Sequence, residues 1–262
     1  MPVFRDQLSR KVELSGIPKR IVSIVPSQTE LLFHLGLNAE VIGITKFCIR
    51  PADAFRSITK VGGTKQLDIQ KIRSLAPDLI IANKEENDRL QVEELMNICP
   101  VWISDIFDLD SALQMIGCIG DIIGKPGQAN MLCVEINDRF NGIKLPLNRL
   151  NVAYLIWRKP YMLAGKGTFI DSMLQKCGLN NVTEAERYPQ IDVAALVAAD
   201  PDLVFLSSEP YPFTQKHMDD FKVLLPNAKV ALVDGEMFSW YGSRLLNAPA
   251  YFKPLMNELV KN

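Results

Sequence analysis

The chain has 262 residues, of which 48% are hydrophobic and 23% charged, and its formal net charge is −1. That near-neutral balance argues against a nucleic-acid-binding protein, which usually carries a basic face. No apolar run approaches the roughly 20 residues that a membrane-spanning helix needs, so the sequence predicts no such helix.

The N-terminal segment and the cysteines favour a cytoplasmic protein. Residues 1–20 are mixed and charged, without the apolar stretch and small-residue cleavage site of a signal peptide. The cysteines are odd in number and lack zinc-type spacing, so we interpret them as reduced structural thiols: Cys48, Cys99, Cys118, Cys133 and Cys177. The alternative is a periplasmic or lipid-anchored protein whose export signal was removed.

The first half of the chain alternates predicted strands with helices. Residues 20–26 (RIVSIVP) predict a strand, and Ser27-Gln-Thr-Glu30 predicts a capping box that starts a helix over residues 30–35. The following elements are a strand at 39–44, a loop at 46–68, a helix ending at Leu75, a strand at 78–82, a helix at 91–98 and a strand at 101–103. This alternation predicts βαβ units and a mostly parallel sheet.

Two helices follow this first half. Residues 110–123 predict an amphipathic helix that stops at Gly124, and residues 126–143 predict one continuous helix with proline in its first turn. The second helix would be roughly 27 Å long, about the width of a small domain. We therefore expect three parts: an N-terminal α/β lobe (1–109), a linker with a long backbone helix (110–145) and a C-terminal α/β lobe (146–262).

The second half repeats the first. Residues 71–83 (KIRSLAPDLIIAN) and 193–208 (VAALVAADPDLVFLSS) each contain a helix, Pro-Asp-Leu and a buried strand. The remaining elements are a strand at 151–157, a Thr168-x-x-Asp171 cap, a strand at 229–233 and a terminal helix at 248–259. The sequence therefore predicts an α/β fold of two Rossmann-like lobes, with mostly parallel sheets and a ligand cleft between the lobes.

Local motifs argue against several chemistries. Gly165-Lys166-Gly167-Thr168 lacks the first glycine and the Lys-Ser/Thr pair of a phosphate-binding loop, so we interpret it as a turn before a capped helix. His34 and His217, the only histidines, have no carboxylate or second histidine at ligand spacing. A protein metal site and a histidine-based nucleophilic mechanism are therefore both unsupported.

A set of aromatic and cationic residues lies in the predicted loops that follow strands. Ligands bind at the carboxyl ends of strands in α/β folds, and tryptophan and tyrosine there suit a large, flat ligand with polar edges. The set comprises Phe47, Trp157, Arg158, Tyr161, Tyr188, Tyr211, Phe213, Phe238, Trp240, Tyr241 and Arg244.

The arrangement resembles the class III periplasmic substrate-binding proteins, the helical-backbone receptors for vitamin B12, ferric siderophores and haem. The resemblance spans residues 19–259. It rests on RIVSIVPSQTELLFHLGL, VGGTKQLDIQKIRSLAPDLIIA, the helix beginning at Pro126, GKGTFIDSMLQKCGLNNV, YPQIDVAALVAADPDLVF and Gly-Ser-Arg244. Ser-x-Thr-Glu30 and Tyr-Pro-Gln190 resemble the B12-binding type most.

The resemblance implies a set of residues around the ligand: Pro26, Ser27, Gln28, Phe47, Thr64, Trp157, Tyr188, Trp240 and Arg244. We add Phe213 from the aromatic set, and Glu236 as the nearest equivalent of an acidic residue near the C-terminal ligand loop. Thr64 stands where the B12 type has tryptophan, so one stacking wall is missing. The ligand is therefore expected to be a cobalamin-like corrinoid or another cobalt or iron chelate, such as a ferric siderophore or haem.

A second departure concerns the exposed glutamate that each lobe of such receptors uses to dock on an ABC permease. Gln70 and Ala194 occupy the equivalent positions, so both charges are lost. One hypothesis is a protein that works away from a permease. The alternative is docking through neighbours such as Asp68, Asp192 or Lys71.

We expect a monomeric, non-catalytic binding protein with no catalytic cofactor and no nucleic-acid partner, and with an ABC permease as candidate partner. The alternative is a cytoplasmic enzyme, cofactor-processing protein or sensor on the same scaffold, since fold does not fix function. Its candidate groups would be limited to Glu236, Asp171, Arg158 and Arg244.

Overall fold

The computed structural model describes residues 1–143 and 149–260, which form two compact units. Unit 1 comprises Met1–Ile106, Asp110–Ile136 and Tyr241–Arg244. Unit 2 comprises the described residues of Phe107–Leu109, Asn137–Trp240 and Leu245–Asn262. Tyr241–Arg244 thus packs with unit 1, although its neighbours in sequence pack with unit 2.

The elements up to the long helix are β1 (Val3–Arg5), β2 (Lys11–Glu13), β3 (Ile21–Ser23), α1 (Pro26–His34), β4 (Val41–Ile44), α2 (Ala52–Ser57), β5 (Thr59–Lys60), α3 (Ile69–Ser74), β6 (Leu79–Asn83), α4 (Arg89–Leu95), β7 (Val101–Ser104), α5 (Leu109–Ile122) and α6 (Pro126–Gly142). The later elements are β8 (Asn151–Arg158), β9 (Tyr161–Leu163), α7 (Phe169–Lys176), β10 (Asn180–Asn181), β11 (Gln190–Ile191), α8 (Val193–Ala198), β12 (Leu203–Ser207), α9 (Gln215–Leu224), β13 (Lys229–Val233), α10 (Gly235–Ser239), a 3-10 turn (Ser243–Leu246) and α11 (Ala248–Val260).

Unit 1 is built on a parallel five-stranded sheet with the order β5-β4-β3-β6-β7. Every residue of β3, β6 and β7 is buried, as is usual for parallel strands covered on both faces. The antiparallel hairpin β1–β2 lies along the outer edge of β7, where the Gln7 N–H donates to the Ile103 carbonyl at 3.2 Å.

Unit 2 contains a mixed sheet with the order β11-β9-β8-β12-β13, and β10 also pairs with β8. Strands β8, β12 and β13 are parallel, whereas β9 and β11 pair in the antiparallel sense. The core lies around β12, whose five residues are all buried, and includes Phe213 and Phe221. The predicted α/β fold class with two Rossmann-like units is confirmed.

The internal repeat predicted from Pro-Asp-Leu has a structural cause. In unit 1 the carboxylate of Asp78 accepts hydrogen bonds from the backbone N–H groups of Lys19 (2.7 Å) and Arg20 (3.0 Å), just before β3. In unit 2 the carboxylate of Asp202 accepts from the Asn151 N–H at 2.7 Å, at the start of β8. Each aspartate precedes one strand, and its carboxylate accepts from backbone N–H groups at the start of the neighbouring strand.

One predicted element boundary is wrong. The helix expected over residues 30–35 begins at Pro26, and Ser27 does not form the predicted capping box, because it lies inside the first turn. Proline at the first helical position is already fixed in a helical φ and needs no amide partner. The predicted Thr168 cap is confirmed, since its hydroxyl accepts from the Asp171 N–H at 3.1 Å.

Other elements were not anticipated: the β1–β2 hairpin, α2 and β5 within the expected loop at 46–68, and α9 after residue 214. The predicted long helix is present as α6, Pro126–Gly142. The predicted domain bounds remain a prediction, and the boundary between residues 145 and 146 lies outside the described residues. Across the described ranges, no helix is long and apolar enough to cross a membrane.

Candidate functional site

The predicted ligand-binding residues of unit 1 follow the carboxyl ends of its parallel strands, where ligands bind in α/β folds. Pro26, Ser27 and Gln28 form the first turn of α1, two residues after β3. Phe47 follows β4 with 51% of its surface exposed, and Thr64 follows β5 and is half-buried. The fold thus places these five residues at one edge of the sheet.

The loop that carries Phe47 is anchored by a buried polar cluster. The Cys48 thiol lies 3.1 Å from the hydroxyl oxygens of both Thr29 and Thr45. Burial raises the pKa of the Cys48 thiol, which therefore stays protonated at neutral pH. Because the thiolate is the reactive form, this cysteine fixes the loop and offers no nucleophile.

Hydrogen bonds beneath the first turn of α1 fix the orientation of the Gln28 amide. The Ser104 hydroxyl donates to the Ala82 carbonyl at 3.2 Å, and it accepts from Asn83 Nδ2 at 3.0 Å and from Gln28 Nε2. A hydroxyl has one hydrogen to donate, and Ser104 uses it on Ala82. Gln28 must therefore turn its Nε2 towards Ser104 and its Oε1 away.

Within the described part of the chain, three buried oxygens near this turn lack a hydrogen-bond partner. No hydrogen bond within the described residues involves these atoms, which are Ser27 Oγ, Gln28 Oε1 and Ser243 Oγ. The residues that carry them are 2%, 0% and 6% exposed. An unsatisfied buried polar atom costs about 1–3 kcal/mol, so these oxygens favour any group that can bond to them.

The segment Tyr241–Arg244 is held in unit 1 by two acidic side chains. The Arg244 guanidinium donates to both oxygens of Glu30, from Nη2 at 2.6 Å and from Nε at 3.1 Å. The Tyr241 hydroxyl donates to the Glu86 carboxylate. Arg244, predicted to contact the ligand, is therefore already paired with a carboxylate in this structure.

In unit 2 the predicted aromatic residues divide into exposed and buried ones. Trp157, at the carboxyl end of β8, is 39% exposed and makes an edge contact with Tyr211 at 5.6 Å between ring centroids. Tyr211 in turn contacts Phe213 at 4.8 Å. Phe213 is only 6% exposed and belongs to the core, and Tyr188 is half-buried.

His217 supports this aromatic group. Its Nδ1 accepts from the Thr214 N–H at 2.9 Å, which caps α9, and its Nε2 lies 3.3 Å from the Tyr211 hydroxyl. Burial, followed by the charge of Arg158, lowers the pKa of His217. The neutral ring is also the form that the cap needs, because a protonated Nδ1 cannot accept a hydrogen bond.

Trp240, another predicted ligand contact, is 6% exposed and bonded to a buried acid. Its Nε1 donates to Glu209 Oε1 at 2.9 Å, and the Ser239 hydroxyl donates to the same oxygen at 2.7 Å. Burial raises the pKa of the Glu209 carboxyl. Glu236, the predicted acidic ligand residue, is also buried, at 8% exposure.

Two of the side chains named as candidate catalytic groups, Asp171 and Arg158, form hydrogen bonds or ion pairs with other side chains. Asp171 accepts from Gln175 Nε2 and from Asn181 Nδ2, each at 2.9 Å. Arg158 forms an ion pair with Asp220 at 3.3 Å. Over the described part of the chain, no three histidine, cysteine or acidic side chains are grouped as metal ligands would be.

The positions equivalent to docking glutamates lie on two short exposed helices. Gln70 is exposed on α3 in unit 1, and Ala194 is exposed on α8 in unit 2. Each helix is capped by an aspartate: Asp68 accepts from the Lys71 N–H at 3.0 Å, and Asp192 accepts from the Ala195 N–H at 2.7 Å. The two helices therefore share their local structure, but neither position carries a charge.

Residues 21–224, most of the chain, match the family model described as periplasmic binding protein. The chain belongs to the periplasmic binding protein family. Members of this family bind substrates and are not enzymes, which decides against the enzyme alternative.

Individual relatives agree with this family. A vitamin B12-binding protein of Vibrio campbellii is 23% identical over 199 residues, which cover 74% of this chain and 72% of the relative. An uncharacterized ABC transporter substrate-binding lipoprotein of Bacillus subtilis is 24% identical over 94% of this chain and 82% of its own. A periplasmic haem-binding protein from Pseudomonas aeruginosa has a TM-score of 0.79 and 21% identity, covering 93% of this chain and 94% of that one.

The expected cytoplasmic location is wrong. The family is one of periplasmic binding proteins, and its relatives include a substrate-binding lipoprotein and a periplasmic receptor. These findings point to a location outside the cytoplasm. The cytoplasmic location was inferred from residues 1–20 and from the cysteines.

The sequence analysis missed several polar residues of the site. Asn83 and Ser104 end two neighbouring apolar strands, and Asn87 bonds to the carbonyls of both Ile24 and Thr64 at 3.1 Å. Glu209 lies two residues after β12. A polar last residue in an otherwise apolar strand was the available signal for Asn83 and Ser104, whereas Asn87 and Glu209 lie in the loops beyond their strands.

Proposed function

We propose that the protein binds a metal chelate through residues at the carboxyl ends of its strands and supplies it to an ABC importer. The observation that carries this proposal is the exposure of Phe47 and Trp157, two large aromatic side chains at strand ends of the two α/β sheets. Exposed aromatic faces suit a flat macrocycle, because they give large apolar contact at low conformational cost.

The ligand class follows from the relatives. Their names include vitamin B12-binding and haem-binding proteins, whose ligands are cobalt and iron chelates. We propose a corrinoid first, with haem or a ferric siderophore as the other candidates. The remaining predicted contacts are Pro26, Ser27, Gln28, Thr64, Tyr188, Phe213, Glu236, Trp240 and Arg244.

Calorimetric titration of variants tests the aromatic contacts. We expect Phe47→Ala and Trp157→Ala each to weaken chelate binding about tenfold, the loss of one aromatic contact. Val223→Ala is the matched control, since Val223 is an 85%-exposed apolar residue in the last turn of α9. Equal affinities for all three variants and the wild type would contradict the proposal.

We further propose that a monomer docks on its permease through the exposed faces of α3 and α8 as they stand. Without glutamates, α3 offers Gln70, Lys71 and Arg73, and α8 offers the exposed apolar residues Val193 and Val197. Light scattering of the purified protein measures its molar mass and tests whether it is a monomer.

A further inference from the structure

We propose that Ser27, Gln28 and Ser243 form a subsite for an uncharged carboxamide group of the ligand. The inference rests on the proposed binding of a metal chelate, and it adds which peripheral groups of the chelate the protein prefers. It distinguishes a chelate rimmed with amides, such as a corrinoid, from one rimmed with carboxylates, such as a haem.

The three residues lie together at the start of α1. Ser27 and Gln28 belong to its first turn. Gly242 packs against the same turn so closely that an added Cβ would lie 3.3 Å from both the Ser27 carbonyl oxygen and Leu31 Cβ. Ser243 follows Gly242 directly in the chain, so its backbone lies close to that turn, and its hydroxyl is buried.

The hydrogen-bonding needs of the three oxygens are specific. Gln28 Oε1 is an acceptor that faces away from Ser104 and has no donor among the described residues. Ser27 Oγ and Ser243 Oγ can donate or accept, and neither has a partner within the described ranges. A carboxamide satisfies this set, because its NH₂ donates to Gln28 while its carbonyl accepts from a serine hydroxyl. A carboxylate has only acceptors and leaves Gln28 Oε1 facing another negative oxygen.

The charges around the subsite favour the same choice. Two carboxylates, Glu30 and Glu86, contact the segment Tyr241–Arg244. The Arg244 guanidinium, the cation of this segment, already bonds to both oxygens of Glu30. The cation of this segment is therefore already engaged by Glu30 and is less available to a ligand carboxylate.

The three oxygens are closed to solvent in this structure. The carboxamide therefore enters when Tyr241–Arg244 shifts away from the first turn of α1. The polar contacts of that segment include those from Tyr241 to Glu86 and from Arg244 to Glu30. Leaving the three oxygens unsatisfied costs free energy in the unliganded protein, and a bound amide regains it.

A matched pair of probes tests the subsite by calorimetry: the dicyano forms of cobyrinic acid heptaamide and of cobyrinic acid, which differ only in carrying amides or carboxylates. We expect the heptaamide to bind at least tenfold more tightly. Ser27→Ala and Ser243→Ala should each weaken heptaamide binding about three- to tenfold and weaken cobyrinic acid binding less. Ser74→Ala is the control, because the exposed Ser74 hydroxyl bonds within its own helix, to the Lys71 carbonyl at 2.8 Å.

The unliganded variants provide a second readout. Removing a hydroxyl that has no partner should leave the thermal unfolding midpoint unchanged or raise it. A lowered midpoint would show that the hydroxyl is already bonded, through water for example, and would overturn the inference. If one serine variant does not fold, the affinities of the other variant for the two corrinoids still test the subsite.

The remaining outcomes separate the two claims. Equal affinity for both corrinoids, or haemin binding as tightly as the heptaamide, overturns the carboxamide subsite and leaves the binding of a metal chelate in place. No binding of either corrinoid, of haemin or of a ferric siderophore overturns both.

Discussion

Glu209 lies among neutral hydrogen-bond donors, with Trp240 and Ser239 both bonded to its Oε1. Burial is the largest cause that raises its pKa, and the charges of Glu236 and Asp234 act in the same direction. Its folded-state pKa thus exceeds the unfolded one, so the protonated form stabilises the fold at low pH. That contribution is complete below pH 4.5 and is lost as the pH rises through the folded-state pKa.

We therefore predict that Glu209→Gln stabilises the protein more at pH 7 than at pH 4. The amide oxygen can still accept from Trp240, and it never carries the charge that burial disfavours. Urea unfolding at both pH values measures the difference in free energy of unfolding. Glu258→Gln, on an exposed face of α11, is the control variant measured beside it. If Glu209→Gln changed the free energy of unfolding by the same amount at pH 7 and pH 4, the raised pKa of Glu209 would be contradicted.

His217 should make stability depend on pH in the opposite sense. Its pKa is lowered in the folded state, so its contribution is complete above pH 6.5 and is lost as the pH falls through the folded-state pKa. Thr214 and Tyr211 contact the ring, and the charges of Arg158, Lys216 and Asp220 act on it.

We predict that the free energy of unfolding of the wild type falls between pH 7.5 and pH 5.5, and that His217→Asn removes part of this fall. Asparagine can still accept from the Thr214 N–H but does not titrate in this range. Unfolding curves followed by Trp157 fluorescence measure the effect. Identical pH profiles for variant and wild type would rule out His217 as the titrating group.

At the scale of elements, α8 presents an exposed apolar surface in unit 2. Its six residues are Val-Ala-Ala-Leu-Val-Ala, and only Leu196 is buried. Val193 and Val197, one turn apart, are 45% and 43% exposed. A contact at this helix would gain its free energy from apolar burial, unlike the charged docking that the family resemblance implies.

We predict that replacing Val193 and Val197 with serine lowers the stimulation of permease ATPase in proteoliposomes at least threefold. The apolar area lost to docking is the reason, and ligand affinity should not change. Val223→Ser is the matched control, because Val223 is an 85%-exposed valine on α9. Equal stimulation by the double variant would contradict docking through α8.

Repeated elements could be predicted from the sequence, and long-range contacts could not. Pro-Asp-Leu identified both halves, because the aspartate caps a strand that the local pattern already reveals. Ser27 was placed wrongly because Pro26 begins the helix without a capping side chain. The bond between Gln28 and Ser104 joins residues 76 positions apart, which no local motif encodes.

At the scale of the whole molecule, the family was predicted from a resemblance in sequence segments over residues 19–259, among them the long helix α6, and that prediction is confirmed. The ligand-binding residues remain a prediction. Exposure favours Phe47 and Trp157 as contacts, whereas Trp240 and Arg244 are engaged with Glu209 and Glu30 in this structure.

The most direct measurement is a fluorescence titration of the purified protein with cyanocobalamin, dicyanocobinamide, haemin and a ferric siderophore, checked by calorimetry. Trp157 is exposed enough for a bound chelate to quench it. We predict saturable quenching with a micromolar or tighter Kd for at least one chelate, and loss of that quenching in Trp157→Phe. No saturable binding to any of the four would contradict the central claim that this protein is a receptor for metal chelates.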